Sequence, residues 1–338
     1  MAALQDRNRE KIERRRRLLA LAAQLGNVAQ ACKDMGVSRA AFYRLKRRFE
    51  AEGDAGLADK STAPKTAHPA ATPPAVVDKI VGLSLSNPAW GCCRMALELK
   101  AAGLAVSSPV IQKLLIRRGL GKREDRVVEV ERSVLRNNSV GAGALAFCER
   151  IDPRFRERQE TGFRPGRMVV QDTVDLGNVT GAGPVFAQIA VDTFSCWTWV
   201  MLHPAHEPRA AVDLLRLRVE PQLRDWGLRL DILQTPSNVE YYGRRGGTHN
   251  FHEWVDARAV HQYAEAGVRS RHGFIQAAVR VIKAGVFTVA VETNMPTTID
   301  LIQTRLDAWL DAYHLQPIPG WPLFGRSPSE AVGPWSRS

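Results

Sequence analysis

The side chains best suited to chemistry in this chain are basic, and they are bunched. Arg39, Arg44, Lys46, Arg47 and Arg48 fall within ten positions, with Tyr43 among them. At helical spacing Phe42 and Leu45 face one way, while Arg39, Tyr43, Arg44 and Arg47 face the other, and Arg48 extends the same basic run. Guanidinium groups so arrayed reach phosphate oxygens, and from a helix lying in a major groove they also reach base edges. A charged solvent face on a small bundle is the plainer reading, but five basic residues on so short a stretch favour nucleic acid. Gln112, Lys113 and Arg117 form a second, weaker set on the outer face of a later helix. The five cysteines, Cys32, Cys92, Cys93, Cys148 and Cys196, show no C-x-x-C spacing, so a zinc site is not expected. Tyr241, Tyr242, Trp254, Trp197 and Trp199 could stack on bases, yet such aromatics more often fill a core.

The elements that must carry these groups can be read from turns and caps. Leu18, Leu21, Ala22 and Leu25 recur at helical spacing and stop at Gly26-Asn27. Val28 to Met35 follows, then the turn Gly36-Val37-Ser38, then Arg39 to Glu50 with Ser38 as N-cap. That layout is a helix-turn-helix. Residues 61–75, rich in Pro, Ala and Thr, read as a linker. A second helical group follows: Val76–Leu85, Cys93–Ala101, and a helix that Ser107 can cap, with Pro109 in its first turn. Residues 123–165 read as a connector with a helix inside it. Beyond them Met168–Gly177, Val185–Ser195 and Trp197–His203 are strand candidates. A long helix from Pro208 to Trp226, a strand over Leu228–Gln234, and helices at Phe251–Ala259, Phe274–Val286 and Pro296–Tyr313 complete an α/β order. The tail from 316 to 338 shows no clear period. The expected domains are therefore 1–60, 76–122, 166–315 and that tail, joined by the linker and the connector.

Charge separates the two halves. The chain has 338 residues and a formal net charge of +12, of which residues 1–60 carry +6, residues 61–165 carry +7 and residues 166–338 carry −1. A polyanion partner for the first half follows, since Lys and Arg that neutralise phosphates release condensed counterions. No apolar stretch approaches the roughly 20 residues of a membrane helix. The polar, basic N-terminus does not read as a signal peptide, and with unpaired cysteines this sets the expected location in the cytoplasm, on the nucleoid.

Taken in order, these segments resemble insertion-sequence transposases of the retroviral-integrase superfamily over nearly the whole chain. VAQACKDMGVSRAAFYRLKRRFEAEGDAGLADK (28–60) resembles the first helix-turn-helix of that group, and PAWGCCRMALELKAAGLAVSSPVIQKLLIRRGL (88–120) its second DNA-binding unit. VVQDTVDL, AVDTFS and LQTPSNVEYYG are similar to the core motifs, and YHLQPIPGWPLFGRSPSEAV to the closing segment. The implied fold class is multidomain, with all-α helix-turn-helix units followed by an α/β ribonuclease H-like integrase core.

Family members cut and join DNA through an Asp-Asp-Glu triad that holds two magnesium ions. The resemblance puts the first carboxylate at Asp172. The second position falls on Pro236, in Thr235-Pro236-Ser237-Asn238-Val239-Glu240, and the third on Gln276. Proline offers no side-chain ligand and glutamine only a neutral amide oxygen. Pro236 to Gln276 is 40 positions, a few more than the family spacing, with the surplus assigned to Arg244-Arg245-Gly246-Gly247. Among other carboxylates, Glu240 already has a family counterpart, Asp192 matches a non-ligand Asp, and Asp175 points to the opposite strand face from Asp172. The expectation is a DNA-binding protein of transposase descent with an inactive core and no cofactor, acting as a regulator or accessory factor of a mobile element or plasmid. Its partners would be double-stranded DNA and a second copy of itself, with a dimer as one form. Two alternatives stay open: an active strand transferase using magnesium at a non-standard site, and a decayed transposase without a retained role.

Overall fold

The structure is a computed structural model that describes residues 2–59, 72–242, 250–264, 271–287 and 298–336. The chain divides into two units, Met1–Thr72 and Pro73–Ser338. Most of the expected linker, residues 61–71, and the surplus loop at 244–247 lie outside the described residues, as does the expected helix start at Pro296.

The first unit is helical. α1 (Ala2–Leu25) runs much further toward the N-terminus than its apolar spacing indicates, because arginine is a good helix former even without an apolar stripe. α2 (Val28–Asp34) is capped by Asn27, whose Oδ1 accepts from the amides of Ala29 and Gln30 at 3.0 and 3.2 Å. Gly36 supplies the turn at φ 64°, and Ser38 caps α3 (Arg39–Glu52) by accepting from the Ala41 amide at 3.2 Å. Leu18, Ala22, Ala31, Cys32 and Phe42 close the core. Lys11 and Arg15 pair with Asp59, and Arg16 pairs with Asp54, which holds the end of the unit against α1.

The second unit begins with α4 (Pro74–Ser86), α5 (Cys92–Ala101) and α6 (Ser108–Arg117), packed around Ile80, Met95, Leu99, Ile111 and Leu115. Ser107 stands at the N-cap of α6 but makes no side-chain cap bond; Pro109 lies in the first turn as expected. The segment expected to be a connector is structural instead. It forms α7 (Arg123–Leu135), α8 (Ala142–Ile151) and a short 3₁₀ turn at Pro153–Glu157, and it contributes Val127, Val130, Cys148 and Phe155 to the main core. Its apolar residues are diluted by charge, which hid this burial from a reading of the sequence.

The sheet has five strands in the order β3-β2-β1-β4-β5: β1 (Met168–Val179), β2 (Gly183–Asp192), β3 (Thr198–His203), β4 (Ile232–Thr235) and β5 (Val260–Tyr263). β1 to β3 form an antiparallel meander, while β4 runs parallel to β1 and β5 parallel to β4. β1 alternates, so that Val170 and Val174 face the core shared with α7, α8 and α13 (Gly273–Ile282), while Val169 faces the opposite helical layer. That second layer is made by α9 (Pro208–Leu214), α10 (Glu220–Asp225), the one-turn α11 (Val239–Tyr242) and α12 (Asn250–Asp256). The expected long helix runs unbroken from Pro208 to Asp225, with a five-residue π turn, Leu215–Val219, between α9 and α10. Pro221 in the first turn of α10 has no amide hydrogen to give, and the wider turn accommodates that loss. β5 was not foreseen; it is four residues long and mostly exposed, too short to show a period. α14 (Ile299–His314) covers β3, and the tail adds a short helix, α15 (Pro328–Val332). The fold class is thus an all-α helix-turn-helix region followed by an α/β ribonuclease H-like core. Among the described residues no helix is long and apolar enough to cross a membrane.

Candidate functional site

The outward face of α3 is built by its inward one. Phe42 is buried and its ring meets Tyr43 edge-on at 5.4 Å, which leaves Tyr43 half exposed on the opposite flank with Arg39, Arg44 and Arg47 around it. Arg48 behaves differently: it is partly buried and donates from Nη2 to the carbonyl of Ala58. The GDAGL stretch explains why. Gly53 turns the chain at φ 60°, and Gly56 packs so tightly that a Cβ there would stand 2.2 Å from the Arg48 carbonyl oxygen. Arg48 therefore fastens the turn after the helix, while the other four groups face solvent. On α6, Gln112, Lys113 and Arg117 are exposed, and Ile111 and Leu115 hold the helix down.

In the core, Asp172 lies on β1, half-buried, with both carboxylate oxygens engaged. Oδ1 accepts from the Thr173 amide at 2.8 Å, and Oδ2 takes the Nε of Arg271 at 2.6 Å. Burial pushes the Asp172 carboxyl up, and Arg271 opposes that shift. The β1–β4 register pairs Val170 with Gln234; carried two residues on, it sets Pro236 level with Asp172 just beyond the end of β4. Arg271 sits two residues before α13, so its bond draws the start of that helix toward Asp172. Gln276, in the first turns of α13, accepts at Oε1 from Arg156 Nη2 at 2.9 Å, on the 3₁₀ turn, and the same Nη2 reaches the carbonyl of Arg271 at 3.4 Å. The register, continued past its last printed pair, brings Pro236 alongside Asp172, and Gln276 is tied to Arg156.

The other carboxylates are occupied structurally. Glu240 is buried and accepts from Thr173 Oγ1 at 2.6 Å and from Gln188, with His206 Nε2 2.9 Å from its second oxygen; burial pushes its carboxyl up. Asp192 accepts from the Gly166 amide and from Ser195, and burial raises it to about 6. Asp175 is exposed, at a bulge, and accepts from the Gly177 amide. The aromatics Tyr241 and Trp199 are core residues.

Magnesium, which the resemblance implies, needs several anionic oxygens converging at short range. The three positions offer one carboxylate whose oxygens are already bonded, one proline and one neutral amide, and this donor set does not fit a pair of divalent ions. Among the described residues no group of three or more His, Cys, Asp or Glu side chains is arranged to hold a metal. Arg271 and Arg156 were not anticipated from sequence. Their partners lie 99 and 120 positions away, and no periodicity reports such a contact.

Residues 14–72 match the family described as winged helix-turn helix. Among solved structures, the chain is similar to a simian T-cell lymphotropic virus intasome chain, with 12% identity and a TM-score of 0.42, over 51% of this chain and 56% of that one. It is similar too to the catalytic core domain of HTLV-2 integrase in complex with magnesium, with 13% identity and a TM-score of 0.38, over 51% of this chain and 99% of that one. Among curated proteins, protein YlbG of Escherichia coli K12 is 41% identical over 101 residues, which make up 29% of this chain and 78% of YlbG. The YlbG proteins of Shigella dysenteriae and of Escherichia coli O157:H7 match to the same extent. Through that shared stretch, the chain belongs to the family of protein YlbG of Escherichia coli.

Proposed function

We propose that this chain is a sequence-specific DNA-binding protein of transposase descent, with a non-catalytic core, that regulates or assists a mobile element or plasmid from the nucleoid. The observation that carries this reading is the outward face of α3, where Arg39, Tyr43, Arg44 and Arg47 stand exposed within a winged helix-turn-helix. The charge balance supports it, with +13 in residues 1–165 against −1 in the rest. A basic helix on a helix-turn-helix scaffold docks in a major groove, where its side chains divide between phosphates and base edges. Exposed Gln112, Lys113 and Arg117 on α6 would give the second unit a DNA contact of its own. The inactive core is supported by the chemistry of Asp172, Pro236 and Gln276, since one carboxylate cannot offset the repulsion of two divalent ions held close together. Self-association as a dimer belongs to the same reading. A genome-wide footprint of the tagged chain tests it: one or a few discrete sites are expected, and an even distribution would exclude a site-specific regulator.

A further inference from the structure

In the core, the side chain bonded to Asp172 is a cation that the chain itself supplies. Arg271 touches the carboxylate with Nε alone, at 2.6 Å, and stays 39% exposed. Among the described residues its two terminal amino groups make no other hydrogen bond. The backbone beneath it is held as well. Arg156 Nη2 donates to the Arg271 carbonyl at 3.4 Å and to Gln276 Oε1 at 2.9 Å, and Glu157 accepts from the Gly273 amide at 2.9 Å. A guanidinium pinned through Nε keeps its terminal N–H groups in a fixed planar array, the shape that meets two oxygens of a phosphate. Arg271 meets the charge of Asp172, and the neighbouring Glu240 has His206 Nε2 at 2.9 Å from its second oxygen, so each carboxylate here has a basic side chain beside it.

We infer that the site around Asp172 is a metal-independent seat for a DNA phosphodiester, with the terminal amino groups of Arg271 as its ligand-binding atoms. Asp172 is then a positioning residue that aims Arg271. This extends the DNA-binding reading from the helix-turn-helix region to the core, and it rests on that reading.

Fluorescence anisotropy of the full chain on a linear random-sequence duplex, in EDTA and across a salt series, tests it. Each phosphate contact contributes about −0.9 to the slope of log affinity against log salt. R271Q is expected to flatten that slope by about one contact and to weaken binding. Because R271Q strands a half-buried carboxylate, D172N/R271Q is measured against D172N, and the same flattening is expected there. Unchanged slopes in both comparisons, with the wild-type chain binding DNA, would overturn the phosphate seat and leave the helix-turn-helix reading intact. Wild-type binding that disappears in EDTA would overturn its metal independence. A wild-type chain with no salt-dependent binding would overturn the DNA-binding reading itself.

Discussion

Arg126 Nη1 lies 2.7 Å from the carbonyl oxygen of Trp90, 36 positions earlier in the chain. The same side chain reaches the carbonyls of Pro88 at 3.3 Å and Leu120 at 3.0 Å, and it is almost fully buried. One residue of α7 therefore satisfies carbonyls at the turn before α5 and at the end of α6. The helices that present Gln112, Lys113 and Arg117 are thereby joined to the same structural unit as the sheet. Replacing Arg126 by Met keeps its bulk but strands those acceptors, each costing about 1–3 kcal/mol when buried. Denaturant unfolding of Arg126→Met should show a loss of about 3 kcal/mol, and an unchanged midpoint would mean that water satisfies the carbonyls instead.

Gly56 offers a second stability test, confined to the first unit. A Cβ would stand 2.2 Å from the Arg48 carbonyl oxygen and 2.7 Å from its carbonyl carbon, both backbone atoms that cannot step aside. Gly56→Ala should destabilise the helix-turn-helix by about 2 kcal/mol, in the range of ordinary overpacking. Its thermal midpoint in residues 1–72 would be the readout, and no shift would show that the turn relaxes freely.

DNA binding should divide the arginines of α3 into two kinds. Arg44→Ala and Arg47→Ala should weaken binding by about 1–3 kcal/mol and relax specificity where they reach base edges, or weaken it evenly across sequences where they reach phosphate. Arg48→Ala should act mainly on stability, because its guanidinium holds Ala58. Competition binding on a selected duplex and its single-base variants separates these outcomes.

Much of this was legible in sequence for local reasons. Asn27, Gly36 and Ser38 are caps and turns whose chemistry is fixed by near neighbours, and the alternating apolar residues of β1 and β2 announce a sheet. What sequence did not disclose depends on distant partners. Val127 and Val130 sit among charged residues, and only the fold reveals that they face the sheet. β5 has four residues and an exposed edge, too little for a period. Arg271 looks like an ordinary surface basic until β1 is brought beside it, and Arg156 until α13 is.

Glu131 gives the clearest pH dependence. It is fully buried, its Oε2 accepts from the Trp321 amide at 3.1 Å, its Oε1 has no hydrogen-bond partner among the described residues, and it lies near Asp152 beside Gly320. Burial, helped by the Asp152 charge, raises its carboxyl from 4.5 to about 7. The folded state therefore holds a proton there that the unfolded chain releases near 4.5. The resulting contribution to stability is full below that pH and is lost as pH rises through about 7, roughly 3 kcal/mol in all. Glu131→Gln keeps an acceptor for Trp321 and never ionises. It should leave stability little changed at pH 4.5, raise it at pH 8, and flatten the curve of thermal midpoint against pH between them. A variant with the wild-type slope would place the titration elsewhere.

The chemistry of the core is the last test. The unmodified chain should neither nick nor join DNA with magnesium or manganese, because phosphoryl transfer of this class uses two cations, one to activate the attacking oxygen and one to stabilise the leaving oxygen. Restoring Pro236→Asp and Gln276→Glu returns two carboxylates, but a metal must still displace Arg271 from Asp172, and Glu at 276 would face Arg156. Each such ion pair, partly open to water, costs about 1 kcal/mol to break. Manganese titrated by calorimetry into the double variant should therefore bind several-fold more weakly than into the triple variant that also carries Arg271→Gln. Equal affinities would show that Arg271 does not guard the carboxylate. Metal-dependent cleavage by the unmodified chain, abolished by Asp172→Ala, would reverse the assignment of the core as non-catalytic.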